Sequence, residues 1–225
     1  MTLAAIETSG SVCGVALFND GHLLYHASLT GDRVHDRACA RMVDEAFQST
    51  GVAPASLSHV AVSVGPGSFT GLRIGISVGV GLALGAGARM IPVPTLDACA
   101  FAAVPLASRC GNSRLLSLAP AGRDLVYAAL YEAKPAFRRI TEYRAIPLNG
   151  LPALIDETTS VVGPGTELVE GGDLSAVLPG AVRLSAELVG LLGLQLHYRG
   201  VGVGPEAIEP LYIREFTPKT SAKSL

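Results

Sequence analysis

The sequence predicts an α/β protein built from two similar lobes, and three observations carry that prediction. Apolar runs of strand length alternate with stretches of helical period. A series that runs from an N-terminal hairpin to a strand ending in Gly-Pro-Gly is echoed in the second half. The chain of 225 residues is 49% hydrophobic and 16% charged, with no Trp, a balance that suits a folded α/β core and not a disordered chain.

The elements follow in order. LAAI at 3–6 reads as a strand, ETSGS as a polar turn, and CGVALF at 13–18 as a second strand. Asp20-Gly21 then separates it from HLLYHASL, a strong hairpin signal. From 35 to 51, HDRACARMVDEAFQSTG changes to helical period, with Ala38, Met42, Val43 and Phe47 on one face and Gly51 as the C-cap. HVAVSV at 59–64 is a continuous apolar strand of the kind found inside a sheet. A glycine-rich loop and a helix to about Gly87 come next, and IPVP returns to the sheet.

In the second half, RLLSLAPAGRDLVYAALY at 114–131 is again strand, small-residue turn, strand. SVVGPGTE at 160–167 repeats AVSVGPGS at 61–68. The repeat suggests a duplicated unit, with a first lobe over 1–102 and a second over 103–225. Chance similarity of two Gly-Pro-Gly turns is the alternative.

The loop VGPGSFTGLRIG at 64–75 carries the sharpest question. A strand-to-helix turn exposes backbone N–H groups that can hold a phosphate, so Glu7, Thr8, Ser9, Gly65, Gly67 and Ser68 form a candidate nucleotide loop. No Lys follows, so this is not a Walker loop. Gly71, Gly75, Gly79 and Ala83 recur every fourth residue and strip one helix face of side chains. Such a face admits a close neighbour. It packs either inside its own lobe or, with Met42 of the first helix, against another subunit. Arg73 is expected to pair with an acid.

Charge and cysteine usage narrow the function classes. The formal net charge is -2 and there is no Lys/Arg-rich run, so the chain lacks the footprint of a protein that grips nucleic acid by itself. Cys13, Cys39, Cys99 and Cys110 lack CxxC spacing and read as buried, reduced thiols. The N-terminus has no basic n-region, and the apolar run at 74–88 is fifteen residues with five Gly, short of the roughly 20 that a spanning helix needs. A cytoplasmic protein without a membrane span is expected.

IETS near the N-terminus, a lone His opening HDRACARMV, VGPGSFTGLRIGISVGVGLALG, and PLYIRE near the end together resemble the bacterial TsaB (YeaZ) family. The resemblance implies two duplicated ribonuclease-H-like lobes of the actin/Hsp70/sugar-kinase superfamily. It implies a non-catalytic subunit that pairs with the catalytic subunit TsaD, and with it the ATPase TsaE, for threonylcarbamoylation of the adenosine beside the tRNA anticodon. It places pairing on helices of the first lobe, with a homodimer as a further option. It leaves tRNA and any ATP to the complex, with no cofactor on this chain.

A catalytic site is hard to compose from these residues. The catalytic relatives carry two metal-binding histidines where this chain has Thr95 and Cys99, a poor substitute for imidazoles. His22, His26, His35, His59 and His197 are scattered, with only His22 and His26 at strand spacing as an alternative metal pair. Kinases of the superfamily need acids in both hairpins. The first hairpin offers Glu7 where the family usually has Asp, and the second has Pro120 and Gly122 where Asp and Arg are common, with Asp124 out of register. Ser68 and Thr70 have no His or Asp beside them in sequence. An ATP-dependent small-molecule kinase is the runner-up reading and a metallopeptidase the weakest.

Overall fold

All six residues of β1 (Thr2–Glu7) are buried, so this strand needs neighbours on both edges and cover on both faces. The computed structural model describes residues 1–31, 34–122, 124–169 and 182–213. Around β1 lie β2 (Val12–Asn19) and β3 (His22–Thr30) on one side, β4 (Leu57–Gly65) and β5 (Arg89–Pro94) on the other. The sheet order is β3-β2-β1-β4-β5, antiparallel through the hairpins and parallel from β1 to β4 to β5. This is the ribonuclease-H-like order. The β2–β3 turn takes positive φ at both Asp20 (48°) and Gly21 (81°), the mirror-image turn that matches strand twist.

One face of this sheet is covered by α1 (Val34–Thr50) and α2 (Phe69–Ala86). Met42, Val43, Phe47 and Ile76 pack there on Ala4, Ile6 and Val62. The other face receives α4 (Ala186–Tyr198), whose Ala186, Val189 and Leu192 meet Leu3, Ala5, Phe18 and Ala61. The approach is close: a Cβ on Gly190 would lie 2.2 Å from the Phe18 ring, and one on Gly193 would lie 2.7 Å from Ala61 Cβ. By length and composition α2, at 18 residues, could cross a membrane, but its inner face lies on the sheet.

The second sheet repeats the plan in shortened form. β6 (Arg114–Pro120) sits between parallel β10 (Thr159–Val162) and antiparallel β7 (Leu125–Glu132). β7's outer edge is shared by β8 (Arg138–Arg139) and β9 (Arg144–Pro147), where the first sheet has the single strand β3. Where the first lobe has α1 and α2, the second has 3-10 turns at Leu148–Leu154 and Pro164–Leu168. Among the described residues the duplication is therefore real in topology and unequal in size.

Two expectations are corrected. The boundary at 102/103 falls inside α3 (Thr95–Arg109), which packs chiefly on β6 through Leu96, Cys99, Ala100 and Ala103. The later helix α4 belongs to the first lobe, because the second face of β1 needs a helix that the chain supplies only after building the second sheet. Among the cysteines, Cys13, Cys39 and Cys99 are buried as expected, but Cys110, just past α3, is exposed.

Candidate functional site

β1 ends in Glu7, and the turn that follows is pressed between β4 and the start of α2. Glu7 is 1% exposed. Its Oε1 accepts from Ser9 N and Ser9 Oγ, both at 2.6 Å, while the buried Oε2 has no partner of ordinary hydrogen-bond geometry among the described residues. Thr8 N donates to Ser63 Oγ at 3.3 Å, and Thr8 Oγ1 is likewise buried without a partner. Burial pushes the Glu7 carboxyl up to about 7 from its ordinary 4.5, against the opposing hydrogen bonds from Ser9.

The glycine loop closes over this turn. Ser68 N donates to Ser9 O at 2.7 Å, and Ser68 Oγ caps α2 by accepting from Gly71 N at 3.2 Å. A Cβ on Gly67 would lie 2.2 Å from Ser9 O, and one on Gly71 would lie 2.1 Å from Thr8 O. The hairpin's own backbone thus fills the space a phosphate would need, and Ser68 N is already committed. Glu7, Thr8, Ser9, Gly65, Gly67 and Ser68 do come together, but as a strand-turn-helix lock.

The second lobe repeats the lock. Cβ atoms on Gly163 and Gly165 would lie 2.5 Å from Leu118 O and 2.8 Å from Leu118 Cβ. Both Gly-Pro-Gly turns lie close against the neighbouring hairpin, mainly its backbone, so the duplication extends to this close approach.

The inner-face residues of α2 are corrected as interface candidates. Gly71, Gly75, Gly79 and Ala83 are all buried, Gly75 against Thr8 and Gly79 against Met90 and Val60. Met42 is 3% exposed in the same core, reaching only the floor of a groove that Leu29, Val34, Ala38 and Arg41 also line. Opposite this stripe runs a second one. Arg73, Ser77, Gly81 and Gly85 are also spaced by four and are exposed; Gly81 and Gly85 have open space around them, and Leu84 is 66% exposed. Both stripes are visible in the sequence, and the polar Arg73 and Ser77 are the signal that marks the outer one.

Arg73 finds aromatic partners where an acid was expected. Its guanidinium lies 3.9 Å over the Phe69 ring and its Nε donates to Tyr212 Oη at 3.2 Å, while Tyr212 stacks on Phe69 at 5.3 Å. Sequence reasoning gave this C-terminal segment no such role. It is tied down by Leu211 N donating to Val64 O at 2.7 Å and by a two-bond bridge between Val203 and Met90. Arg214 and Glu215, which close the PLYIRE motif, lie outside the described residues.

The residues weighed for catalysis are spread through the fold. Thr95 opens α3 at 2% exposure with Oγ1 unpartnered, and Cys99 is fully buried, its thiol pushed up by burial and then by Glu7. His22 and His26 lie on the edge strand β3, where His26 Nε2 meets Ser28 Oγ at 3.1 Å. His35 Nε2 lies 3.1 Å from Val12 O, fastening α1 to β2. His59 and His197, far apart in sequence, meet edge-on at 4.3 Å, and burial followed by His197 lowers the His59 imidazole. Among the described residues no group of three or more His, Cys, Asp or Glu side chains is arranged to hold a metal. Pro120 ends β6 exposed, and Gly122 takes φ 146° in the turn beyond it.

Known proteins share this architecture and parts of the sequence. Residues 29–145 match the family model described as TsaD: tRNA N6-adenosine threonylcarbamoyltransferase. Over 132 residues the chain is 39% identical to the tRNA threonylcarbamoyladenosine biosynthesis protein TsaB of Escherichia coli (strain K12), covering 59% of this chain and 55% of that one. The protein of the same name from Haemophilus influenzae is 33% identical over 106 residues, 47% of this chain and 44% of its own. The chain thus spans about half the length of the curated relatives it matches. The solved structure of YeaZ from Pseudomonas aeruginosa superposes with a TM-score of 0.81 at 28% identity, covering 94% of this chain and 99% of that one.

Proposed function

This chain belongs to the TsaB (YeaZ) branch of the family that the threonylcarbamoyltransferase model describes, and we propose that it acts as a non-catalytic subunit in tRNA threonylcarbamoyladenosine biosynthesis. Its role is to hold a TsaD-type catalytic subunit, with TsaE joining that pair, in the cytoplasm where tRNA is found. The observation that carries this reading is the two-sidedness of α2. Its inner glycine face is consumed by the lobe's own β1 turn, and its outer face presents Ser77, Gly81, Leu84 and Gly85 to solvent. A helix this apolar with a smooth exposed side favours a partner helix at short range. A second copy of the chain fits the same face as a homodimer.

The residues give the kinase and peptidase alternatives no support. The only acid at the first hairpin is buried and held by Ser9, the second hairpin offers Pro120, and Thr95 and Cys99 are buried in the core.

The test is reconstitution. Threonylcarbamoylation of a tRNA transcript by the catalytic subunit, its ATPase partner and supplied threonylcarbamoyl-adenylate is expected to require this chain. Leu84→Asp and Gly81→Leu are expected to weaken capture of the catalytic subunit at least tenfold without lowering the melting temperature. Modification that proceeds equally well without the chain, or capture unchanged by both substitutions, would overturn the reading.

A further inference from the structure

We propose that the outer rim of the second sheet, along β8 and β9, is an RNA-backbone contact surface contributed by this chain. In the sequence the basic residues are too spread to form a run, and the chain as a whole is acidic, at -2. The fold changes that. Over residues 134–144 four cations, Lys134, Arg138, Arg139 and Arg144, stand against the single acid Glu142, and all four are exposed.

Register lines up Arg138 and Arg144. β8 and β9 share the outer edge of β7, with Arg138 opposite Glu132, Arg139 opposite Tyr131 and Arg144 opposite Ala128. Ala128 and Glu132 are four residues apart, so Arg138 and Arg144 lie on one face of the sheet, about 13 Å apart along the strand direction. Lys134 extends the line toward the end of α3, where its Nζ donates to Ser108 O at 3.4 Å beside exposed Arg109.

Internal ion pairing takes up two of these cations and leaves the other two unspent. Arg138 is paired with Glu132, and Arg139 is held over the Tyr143 ring at 3.8 Å, with Asp97 at 3.8 Å and Glu142 at 4.0 Å. Lys134 and Arg144 have no carboxylate partner among the described residues. Exposed cations held at a sheet edge on a net-acidic protein make a local field that a polyanion reads and a neutral surface does not. Choosing RNA as that polyanion rests on the tRNA-modification role proposed above; the patch itself does not. A patch of this size adds a few phosphate contacts to whatever a partner subunit supplies, so the chain by itself binds weakly.

The experiment is fluorescence anisotropy of labelled bulk tRNA titrated with the full-length chain alone, from low to moderate KCl. At low salt a dissociation constant between about 10⁻⁴ and 10⁻⁶ M is expected, the range of non-specific binding, with affinity falling as salt rises. Lys134→Glu with Arg144→Glu is expected to weaken binding tenfold or more and to lower the log–log salt slope by about 1 for each phosphate left unneutralised. Arg37→Glu with Arg41→Glu on α1 changes net charge equally and is expected to alter affinity by less than about twofold, since it leaves the rim cations in place. Circular dichroism and the melting temperature check that both variants fold. Absence of tRNA binding by the unaltered chain, or equal weakening in the two variants, would overturn the assignment. So would a rim variant that keeps tRNA binding while losing capture of the catalytic subunit, because that result makes the rim a docking face for an acidic protein. None of these outcomes depends on whether threonylcarbamoylation requires the chain.

Discussion

The Thr8 side chain occupies the place that a Cβ on Gly75 would take, with its Oγ1 2.1 Å from that position. A residue of the first hairpin is thus seated in the glycine face of a helix more than sixty residues later. That seating, repeated by Gly71 against Thr8 O, explains why α2 carries glycine where its propensity argues against it.

The two glycine stripes of α2 are expected to respond with opposite sign. Gly75→Ala forces Thr8 aside in a packed core, which costs about 1–3 kcal/mol by overpacking and outweighs the roughly 1 kcal/mol gained in helix propensity. Gly81→Ala and Gly85→Ala enter open space and are expected to stabilise the fold by up to about 1 kcal/mol each. Urea midpoints of the three variants check this; a Gly75→Ala protein as stable as Gly81→Ala would refute the seating.

Glu7 sets a pH dependence whose direction follows from its burial. Its folded carboxyl is raised to about 7 from 4.5, so the folded state holds a proton that the unfolded chain releases. Stability is full below about pH 4.5, falls as pH rises through the window to about 7, and is level above it, by up to about 3 kcal/mol in all. Glu7→Gln is expected to remove this slope, leaving the variant more stable than the parent at pH 8 and little changed at pH 4.5. The lowered His59 imidazole acts the other way, losing stability as pH falls below 6.5. Only the parent-minus-variant difference, measured at each pH, isolates Glu7.

The C-terminal segment is expected to steady the start of α2. Tyr212→Ala removes both the stack on Phe69 and the acceptor for Arg73, a loss of about 1 kcal/mol. Faster amide hydrogen exchange over residues 69–75 is the readout. Tyr212→Phe, which keeps the stack alone, is expected to fall between. Unchanged exchange in the Ala variant would show that the segment merely rests on the helix.

Seating of α4 on the first sheet depends on Gly190. A methyl group there meets the Phe18 ring, itself 1% exposed, so Gly190→Ala is expected to cost about 1–3 kcal/mol despite its better helix propensity. Thermal denaturation checks the sign.

The α/β class, the hairpins, the first two helices and the echo of Gly-Pro-Gly are legible in the sequence, because each rests on local chemistry. Asp20-Gly21 can make its turn wherever it stands, and a run such as HVAVSV buries itself in any sheet. The sequence also marked Glu7, Ser9 and the glycine loop as belonging to one region. What each face of α2 meets is set by the tertiary fold, although Arg73 and Ser77 mark the outer one in the sequence. The stripes of Gly71, Gly75 and Gly79 and of Ser77, Gly81 and Gly85 have the same period, and their sides are chosen by what the first hairpin presents. The tertiary fold also moved α4 into the first lobe, brought His59 to His197, and drew Lys134, Arg138 and Arg144 along one rim. These are pairings between distant parts of the chain. Periodicity reports which residues share a face, but what that face meets depends on sheet order and register.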